Sequence, residues 1–243
     1  MKHIYIILMC FSLFSSCMEH NEIKKTKKNA NKNLVKQKNE NKEPFNECSL
    51  DSIKMLTTDY NGIKFYTENR LRGNGVVELI IKKNVDILNL DKTLFGSIIL
   101  NNIEEEVYDI KLPKVIVARE IIPDIEHRVF SFDAEQPEMD KEFLIVYINK
   151  EKKLISKKAN RYKFSSWEVY IKSGFVHLTP NVSKTTKEEQ MYYYQALKIK
   201  GDSMQIKSIS KTSCDYVEEY KNVTKWIKWK DNSCKLITID FCY

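Results

Sequence analysis

The residues that most constrain the chemistry of this chain are four cysteines in its body. They are Cys48, Cys214, Cys234 and Cys242. Thiolates can bind zinc, but structural zinc sites usually contain C-x-x-C pairs, and this sequence has none. Thiols can also pair as disulfides, and an even number of cysteines fits pairing in an oxidising compartment. We therefore expect no metal site and interpret all four cysteines as disulfide candidates.

Geometry limits how these cysteines can pair. Cys234 and Cys242 bound a segment of strand composition, and eight residues at ~3.3 Å each would hold its ends about 26 Å apart. A disulfide needs Cα atoms within about 7 Å. If the segment is one strand, the pairing 234–242 and its complement 48–214 are excluded. Two arrangements stay open, and both join Cys48 to the C-terminal region.

Other candidates for catalysis are few. Histidine is the usual acid or base near neutral pH, but His127 and His177 lie in strand-like contexts, where a position on a sheet face or edge is the ordinary interpretation. No H-E-x-x-H, G-x-S-x-G or P-loop motif occurs. We expect no catalytic residue and no cofactor. A hydrolase with two carboxyl groups about 5–9 Å apart in one cleft stays an alternative.

An acidic cluster invites comparison with a cation site. It comprises Asp133, Glu135, Glu138 and Asp140, whose spacing fits no EF-hand pattern. We interpret it as a solvated loop between strands.

Aromatic residues near the C-terminal end are the better candidates for binding. They are Tyr192, Tyr194, Trp226 and Trp229, and lysines are interleaved with the tryptophans. Strand alternation places Trp226 and Trp229 on opposite faces, so that one ring can enter the core while the other faces outward. Interface hot spots favour Trp and Tyr. We predict a partner-binding site here, with burial of both Trp rings as the alternative.

The N-terminal segment indicates the cellular location of the protein. Lys2 begins a short basic start, and residues 4–14 form an apolar run, which is too short for a bilayer core that needs about 20 helical residues. The length and flanks are typical of a signal peptide. Small residues Ser15 and Ser16 then precede Cys17.

Residues 13–17, Leu-Phe-Ser-Ser-Cys, resemble the lipobox of bacterial lipoproteins. The resemblance implies that Cys17 is diacylated, with palmitate or a similar chain, and becomes the first residue after cleavage. Two acyl chains anchor a protein stably at a membrane. Phe14 departs from the smaller aliphatic residue usual in the family, and an ordinary signal peptide with an incidental cysteine is the alternative. Met18 is not the Asp that retains some lipoproteins at inner membranes, which favours an outer membrane.

The charge is concentrated near this anchor. Of the formal +7, residues 1–46 contribute nine Lys against four Glu, a balance of +5, and residues 47–243 contribute the remaining +2. Residues 18–46 are rich in Lys and Asn and poor in apolar side chains, so we predict a disordered tether. A nearly neutral body lacks the basic footprint of a nucleic-acid-binding protein. We therefore expect a membrane contact through Cys17 and no nucleic-acid partner.

The body predicts a mainly β fold, with an antiparallel β-sandwich or barrel region and few short helices. Strand-like runs recur every ten to fifteen residues, which favours a sandwich or barrel over βαβ units. The predicted strands are residues 76–82, 94–100, 113–118, 127–132 and 143–148. We predict β-rich domains over residues 47–156 and 157–243.

Turn signals suggest where strands pair. Gly73-Asn74-Gly75 is typical of a hairpin turn. Ser173-Gly174 and Gly201-Asp202 predict two further hairpins, and residues 226–230 and 235–241 a third strand pair. Short helices are expected within residues 187–197 and 213–220.

One C-terminal stretch resembles a known family. Residues 196–207, followed by Trp226-Ile-Lys-Trp-Lys, are similar to the central strands of bacterial SH3-like barrels. Ser203-Met204 departs from the Trp common there, and Thr224-Lys225 from the Gly before the late Trp. The resemblance implies a small SH3-like β-barrel that binds cell-wall peptide or a protein.

Together these features predict a non-enzymatic, lipid-anchored envelope protein that binds an envelope protein or peptidoglycan. The alternative is an immunity or inhibitor lipoprotein that blocks a toxin or hydrolase in the periplasm. That alternative predicts one tight protein partner and no affinity for sacculi.

Overall fold

The computed structural model describes Cys48 and residues 55–243, except residues 103, 106, 159, 183 and 218–220. The predicted signal peptide, Cys17 and the predicted tether lie outside the described residues. Within the described part, the prediction of a mainly β chain with antiparallel sheets is confirmed. No described helix is long and apolar enough to cross a membrane.

A small sheet begins the fold. Strands β1 (Met55–Tyr60) and β2 (Ile63–Thr67) form a hairpin, and β7 (Val115–Val117) adds to β2 in parallel. The hairpin turn is Asn61-Gly62, with φ of 52° and 77°. Positive φ at both central residues gives the twist that two-residue hairpins need, which explains Asn-Gly at this position.

A large sheet packs against the small one. Its strands are β3 (Gly75–Ile80), β4 (Asn84–Leu88), β5 (Leu94–Asn102), β6 (Val107–Lys111), β8 (Glu120–Ile122), β9 (Val129–Ala134), β10 (Phe143–Ile148), β11 (Glu151–Ser156) and β12 (Arg161–Ser166). The order is β12-β3-β9-β10-β11-β4-β5-β6, with β8 paired to β9. Four of the five predicted strands overlap strands of this sheet, namely β3, β5, β9 and β10, and the fifth, residues 113–118, overlaps β7 of the small sheet. β12 pairs with β3 along its whole length.

The predicted hairpin around Ser173-Gly174 is wrong. The chain forms helix α1 (Trp167–Ser173) there, and only then strand β13 (Phe175–Leu178). The Ser166 hydroxyl accepts a hydrogen bond from the Val169 N–H, which caps the helix N-terminus. Ile171 is fully buried, so tertiary packing holds a β-branched, aromatic segment in a helix.

A C-terminal sheet completes the fold. Besides β13 it contains β14 (Tyr193–Lys200), β15 (Ser203–Ile209), β16 (Thr224–Lys228) and β19 (Ile237–Asp240), in the order β16-β15-β14-β13-β19. A short ladder joins β17 (Lys230–Asp231) to β18 (Cys234–Lys235). The Gly201-Asp202 hairpin is confirmed between β14 and β15. Of the predicted third strand pair, only Lys230 opposite Lys235 is confirmed. The rest is wrong, since β16 pairs with β15 and β19 with β13.

The two helix predictions in this region also fail where they are described. Residues 187–197 contain only a 3₁₀ turn, Glu189–Met191, before β14 begins. Tyr194 and Ala196 face the core at a spacing of two, which is the period of a strand. Residues 213–217 contain no helix, and residues 218–220 lie outside the described part.

Gly73-Asn74-Gly75 is not a hairpin turn, because β2 and β3 belong to different sheets. Gly73 has φ of 60°, and a Cβ built on it would lie 2.3 Å from the Ala134 carbonyl oxygen. The glycine is therefore required both by the backbone conformation and by the close approach of β9.

Two hydrophobic clusters fill the fold. The cluster between the small and large sheets includes Phe65, Ile116, Phe130, Phe132, Leu144 and Ile155. The cluster on the inner face of the C-terminal sheet includes Ile171, Val176, Tyr194, Met204, Ile206 and Ile237. Residues 45–243 form one compact unit.

Disulfides are confirmed for all four cysteines. Cys48 pairs with Cys234 and Cys214 with Cys242, each with Cα atoms 5.6 Å apart. This is one of the two arrangements that the strand geometry left open.

Candidate functional site

Three of the four aromatic residues predicted to bind a partner lie in the core. Tyr192, Tyr194 and Trp229 are at most 3% exposed. Their polar atoms are occupied: the Tyr194 hydroxyl donates to the Glu189 carbonyl at 3.1 Å, and the Trp229 indole N–H donates to the Gly201 carbonyl at 3.0 Å. A buried aromatic ring with a satisfied polar atom is a stable core arrangement. A partner could not reach these three rings while the core stays closed.

Trp226 is different, because its ring faces outward and is 46% exposed. It lies on β16, at the edge of the C-terminal sheet, opposite Gln205 on β15. Its neighbour Ile227 is buried on the inner face. Strand alternation thus separates the two tryptophans, as predicted, with Trp229 inside and Trp226 outside.

The positions in register with Trp226 define what we term the outer face of the C-terminal sheet. Cross-strand partners share a face, so the register groups nine positions on β14, β15 and β16. They are Gln195, Lys198, Lys200, Ser203, Gln205, Lys207, Thr224, Trp226 and Lys228. Four are lysines, and none is acidic.

The lysines of the outer face are mostly uncompensated. Lys228 forms an ion pair with Asp231 at 2.8 Å. In the described part of the chain, Lys198, Lys200 and Lys207 form no ion pair. The Lys200 ammonium lies 5.9 Å from the centre of the Trp226 ring, in cation–π range. Positive charge and one exposed aromatic ring therefore occupy the same surface.

A second feature is a cleft of about 210 Å³. It lies where β1 and β2, the start of β8, helix α1 and strands β18 and β19 meet. Polar and ionisable side chains of the cleft are Thr57, Thr67, Arg119, Glu120, Tyr170, Lys235, Thr238 and Asp240. A larger cleft of about 650 Å³ beside β3 contains His127, whose ring bonds to Asp124 at 2.9 Å.

Arg119, which lines the smaller cleft, belongs to a buried ion pair. Arg119 donates from Nε and Nη2 to the two carboxylate oxygens of Asp133, at 2.7 and 2.9 Å. Nη2 also donates to the Arg70 carbonyl at 2.8 Å, and the Trp167 ring lies 5.2 Å from the guanidinium carbon. Burial alone would lower the pKa of Arg119, but the Asp133 carboxylate outweighs it, so this cation is permanently charged and fixed.

Asp133 corrects the interpretation of the acidic cluster as one solvated loop. It lies on β9 and is buried, while Glu135 bonds to the Tyr147 hydroxyl at 2.7 Å and pairs with Lys152 at 2.8 Å. Among the described residues, no group of three or more His, Cys, Asp or Glu side chains is arranged to hold a metal ion.

Lys235 is the second cation of the cleft, and its residue is only 5% exposed. Burial, together with the nearby charge of Arg119, lowers the pKa of Lys235 to about 7. The carboxylates of Asp133, Asp240 and Glu120 oppose this shift. The ammonium and the free amine are therefore both populated at neutral pH.

Two carboxyl groups of the cleft shift in the opposite direction. Burial raises the pKa of Glu120, although a hydrogen bond from the Tyr243 hydroxyl favours its ionised form. Burial also raises the pKa of Asp240, whose Oδ2 lies 3.4 Å from Nε2 of His177. Burial raises the pKa of the Tyr170 hydroxyl as well. Burial therefore moves the pKa values of these two carboxyl groups and of the Lys235 amine toward each other.

Comparisons with known proteins give no relative. No family model matches the chain, and no curated protein or solved structure matches it. The resemblances to a lipobox and to SH3-like barrels therefore stay predictions.

Sequence reasoning did not identify Arg119, Glu120 and Lys235. They come from distant parts of the chain and meet beside residues 69–70. The Arg70 carbonyl accepts from Arg119 Nη2 at 2.8 Å, and the Asn69 carbonyl accepts from the Lys235 N–H at 3.0 Å. Arg119-Glu120 follows the apolar run of β7 directly, and Lys235 follows Cys234. The sequence signal that could have indicated this site is the position of these charged residues, directly after an apolar strand or directly after a disulfide cysteine.

Proposed function

We propose that this protein is a lipid-anchored component of a bacterial cell envelope that binds peptidoglycan through the outer face of its C-terminal sheet. The single observation that carries the proposal is the exposed Trp226 ring on one face with three lysines that form no ion pair among the residues that the structure describes. Export and anchoring rest on residues 1–17, and the proposal places the lipid on Cys17, in an outer membrane.

The chemistry of the outer face fits an acidic, sugar-containing polymer. An exposed indole offers a flat apolar surface on which the carbon face of a sugar ring can stack, and Trp is enriched at binding hot spots. The lysines complement the carboxylates of peptide stems, and such complementarity favours association and specificity. A tether of 29 residues behaving as a flexible coil would reach roughly 30 Å from the membrane.

The test is co-sedimentation of the full chain, purified in mild detergent, with isolated sacculi. We expect binding that weakens as salt rises from 50 to 500 mM, because salt screens exposed charges. Trp226→Ala should weaken binding by at least about tenfold, in keeping with a hot-spot residue. Thermal unfolding of the variant checks that it is folded.

A matched control is Tyr216→Ala, which removes an aromatic ring that is 63% exposed and not on the outer face. It should sediment like the unmodified chain. If the unmodified chain shows no sedimentation above background, peptidoglycan binding is excluded, and a protein partner, as for an immunity or inhibitor lipoprotein, becomes the better account.

A further inference from the structure

Lys235, a nearly buried lysine, lines the cleft beside Arg119. In the described part of the chain, Nζ of Lys235 has neither a hydrogen bond nor an ion pair, although the residue is 5% exposed. Lysine is almost never buried unless it is paired. The outer face does not involve this residue, so the binding function proposed above leaves it unexplained.

Lys153 shows how this chain ordinarily accommodates a buried lysine. It is 4% exposed, and its Nζ lies 2.7 Å from Glu151 Oε2 and 2.9 Å from Asn89 Oδ1. Both contacts favour the ammonium form. Lys235 lacks such contacts and lies in a cleft, an arrangement suited to a reacting amine rather than to a structural ion pair.

Burial and a neighbouring cation both favour the neutral, nucleophilic form of the Lys235 amine. Desolvation and an adjacent cation are the two ways in which proteins activate a lysine toward carbonyl carbons. Arg119 supplies the adjacent cation, and its bidentate pairing with Asp133 fixes it in place. The surrounding wall of the cleft includes the apolar side chains of Met55, Leu56 and Ile239.

Two carboxyl groups of the same cleft can handle the protons. Glu120 and Asp240 line it, and burial favours the neutral acid at both. A neutral carboxylic acid beside an amine can donate the proton with which a hydroxyl group leaves as water. A cavity of about 150 Å³ can hold benzene, so the cleft volume of about 210 Å³ admits a small ligand of that size or slightly larger.

We propose that Lys235 binds a small aldehyde covalently in this cleft, as an imine. The amine nitrogen attacks the carbonyl carbon and forms the C–N bond, and the π bond of the carbonyl breaks toward oxygen. One proton moves from the nitrogen to that oxygen, which becomes the hydroxyl group of a carbinolamine. Glu120 or Asp240 then protonates that hydroxyl group, which leaves as water, and the nitrogen loses its remaining proton to the carboxylate. No oxidant or reductant is needed.

The experiment is reductive trapping on the full chain with glycolaldehyde and cyanoborohydride at pH 7, followed by peptide mapping. Cyanoborohydride converts each imine to a stable amine, so the map reports where imines form. We expect Lys235 to be labelled at least about tenfold faster than exposed lysines, because ordinary lysines with a pKa of about 10.4 are almost fully protonated at this pH.

Lys153 in the same sample is the matched control, because it is equally buried but paired, and it should stay unlabelled. Glu120→Gln combined with Asp240→Asn should slow labelling of Lys235 by at least about tenfold, as expected for loss of general acid catalysis. Lys235→Met should remove this label and leave the others unchanged.

Labelling of Lys235 at or below the rate of exposed lysines would overturn the proposal. This readout uses the unmodified chain, so it decides the question even if a variant does not fold. Labelling of Lys153 as fast as Lys235 would also contradict it, because burial alone would then explain the reactivity.

Discussion

At the residue scale, the cleft beside Arg119 brings together two buried cationic residues, Arg119 and Lys235. Arg119 and Asp133 satisfy each other through two hydrogen bonds, whereas Lys235 has no such partner. Burying a charge is costly unless it is paired. The two cations should therefore affect stability in opposite ways, and each effect can be measured.

Arg119→Leu should lower the free energy of unfolding by about 3–5 kcal/mol, because it leaves the buried Asp133 carboxylate without its cation, with the Arg72 N–H as its remaining hydrogen-bond donor in the described part of the chain. Arg119→Leu combined with Asp133→Leu should recover most of that loss, since no charge is then uncompensated. Urea unfolding at pH 7 measures both variants. A double variant no more stable than the single one would show that packing, not charge pairing, decides the cost.

Lys235 should make stability rise with pH. Its pKa is about 7 in the fold against 10.5 in the unfolded chain, so the unfolded chain binds more protons between these values. Stability is therefore lost as pH falls through 7 and is regained as pH rises toward 10.5. The gain from pH 7 to pH 9 should be about 2 kcal/mol.

The check on that gain is urea unfolding of the unmodified chain and of Lys235→Met at both pH values. The difference between the two proteins isolates Lys235 from the other ionisable groups that line the cleft, which are Arg119, Glu120, Tyr170 and Asp240, and from Asp133, which pairs with Arg119. A difference that does not change with pH would show that the pKa of Lys235 is not depressed.

At the element scale, the sequence predicts strands better than their connections. Alternating or continuous β-branched runs locate β3, β5, β7, β9 and β10, because strand periodicity is a local property. The strand prediction for residues 167–173 is wrong because helix formation there depends on contacts that are not local. These residues have strand composition, but the Ser166 cap and the pocket for Ile171 exist only in the folded chain.

Glycine-containing turn signals also differ in what they mark in the fold. Asn61-Gly62 and Gly201-Asp202 connect strands that pair, whereas Gly73-Asn74-Gly75 marks the approach of the chain to Ala134. The sequence indicates that glycine is needed but does not distinguish a turn from a close contact. The Lys235 cleft was equally unpredictable, since its walls come from both halves of the chain.

Trp226 and Trp229 should differ sharply in their contribution to stability. Trp229→Ala empties a buried site and should cost about 3–5 kcal/mol. Trp226→Ala removes a half-exposed ring at a sheet edge and should cost about 1 kcal/mol or less. Urea unfolding measures both, and similar costs would contradict the assignment of the two rings to opposite faces.

At the scale of the whole molecule, the two disulfides close loops of very different length. Cys48 and Cys234 are 186 residues apart, and Cys214 and Cys242 are 28 apart. A crosslink stabilises mainly by restricting the unfolded chain, and more so for longer loops. The first bond therefore joins the start of the described fold to its end.

Replacing Cys48 and Cys234 by Ala should cost up to about 5 kcal/mol, and replacing Cys214 and Cys242 up to about 4 kcal/mol. The order matters more than the values, because strain and residual structure change each one. Urea unfolding under non-reducing conditions gives the comparison. A larger loss for the shorter loop would mean that native-state contacts, not chain entropy, determine the effect.

Binding through the outer face is the central claim, and charge reversal tests it most directly. We would compare sedimentation with sacculi for the unmodified chain, for Lys198→Glu, Lys200→Glu and Lys207→Glu together, and for a control that reverses the exposed residues Lys83, Lys158 and Lys163. The two variants have the same net charge. The account predicts that the outer-face variant loses at least about tenfold in affinity, because acidic side chains now oppose an acidic polymer, while the control loses much less. Equal losses in the two variants, or none in the first, would contradict it.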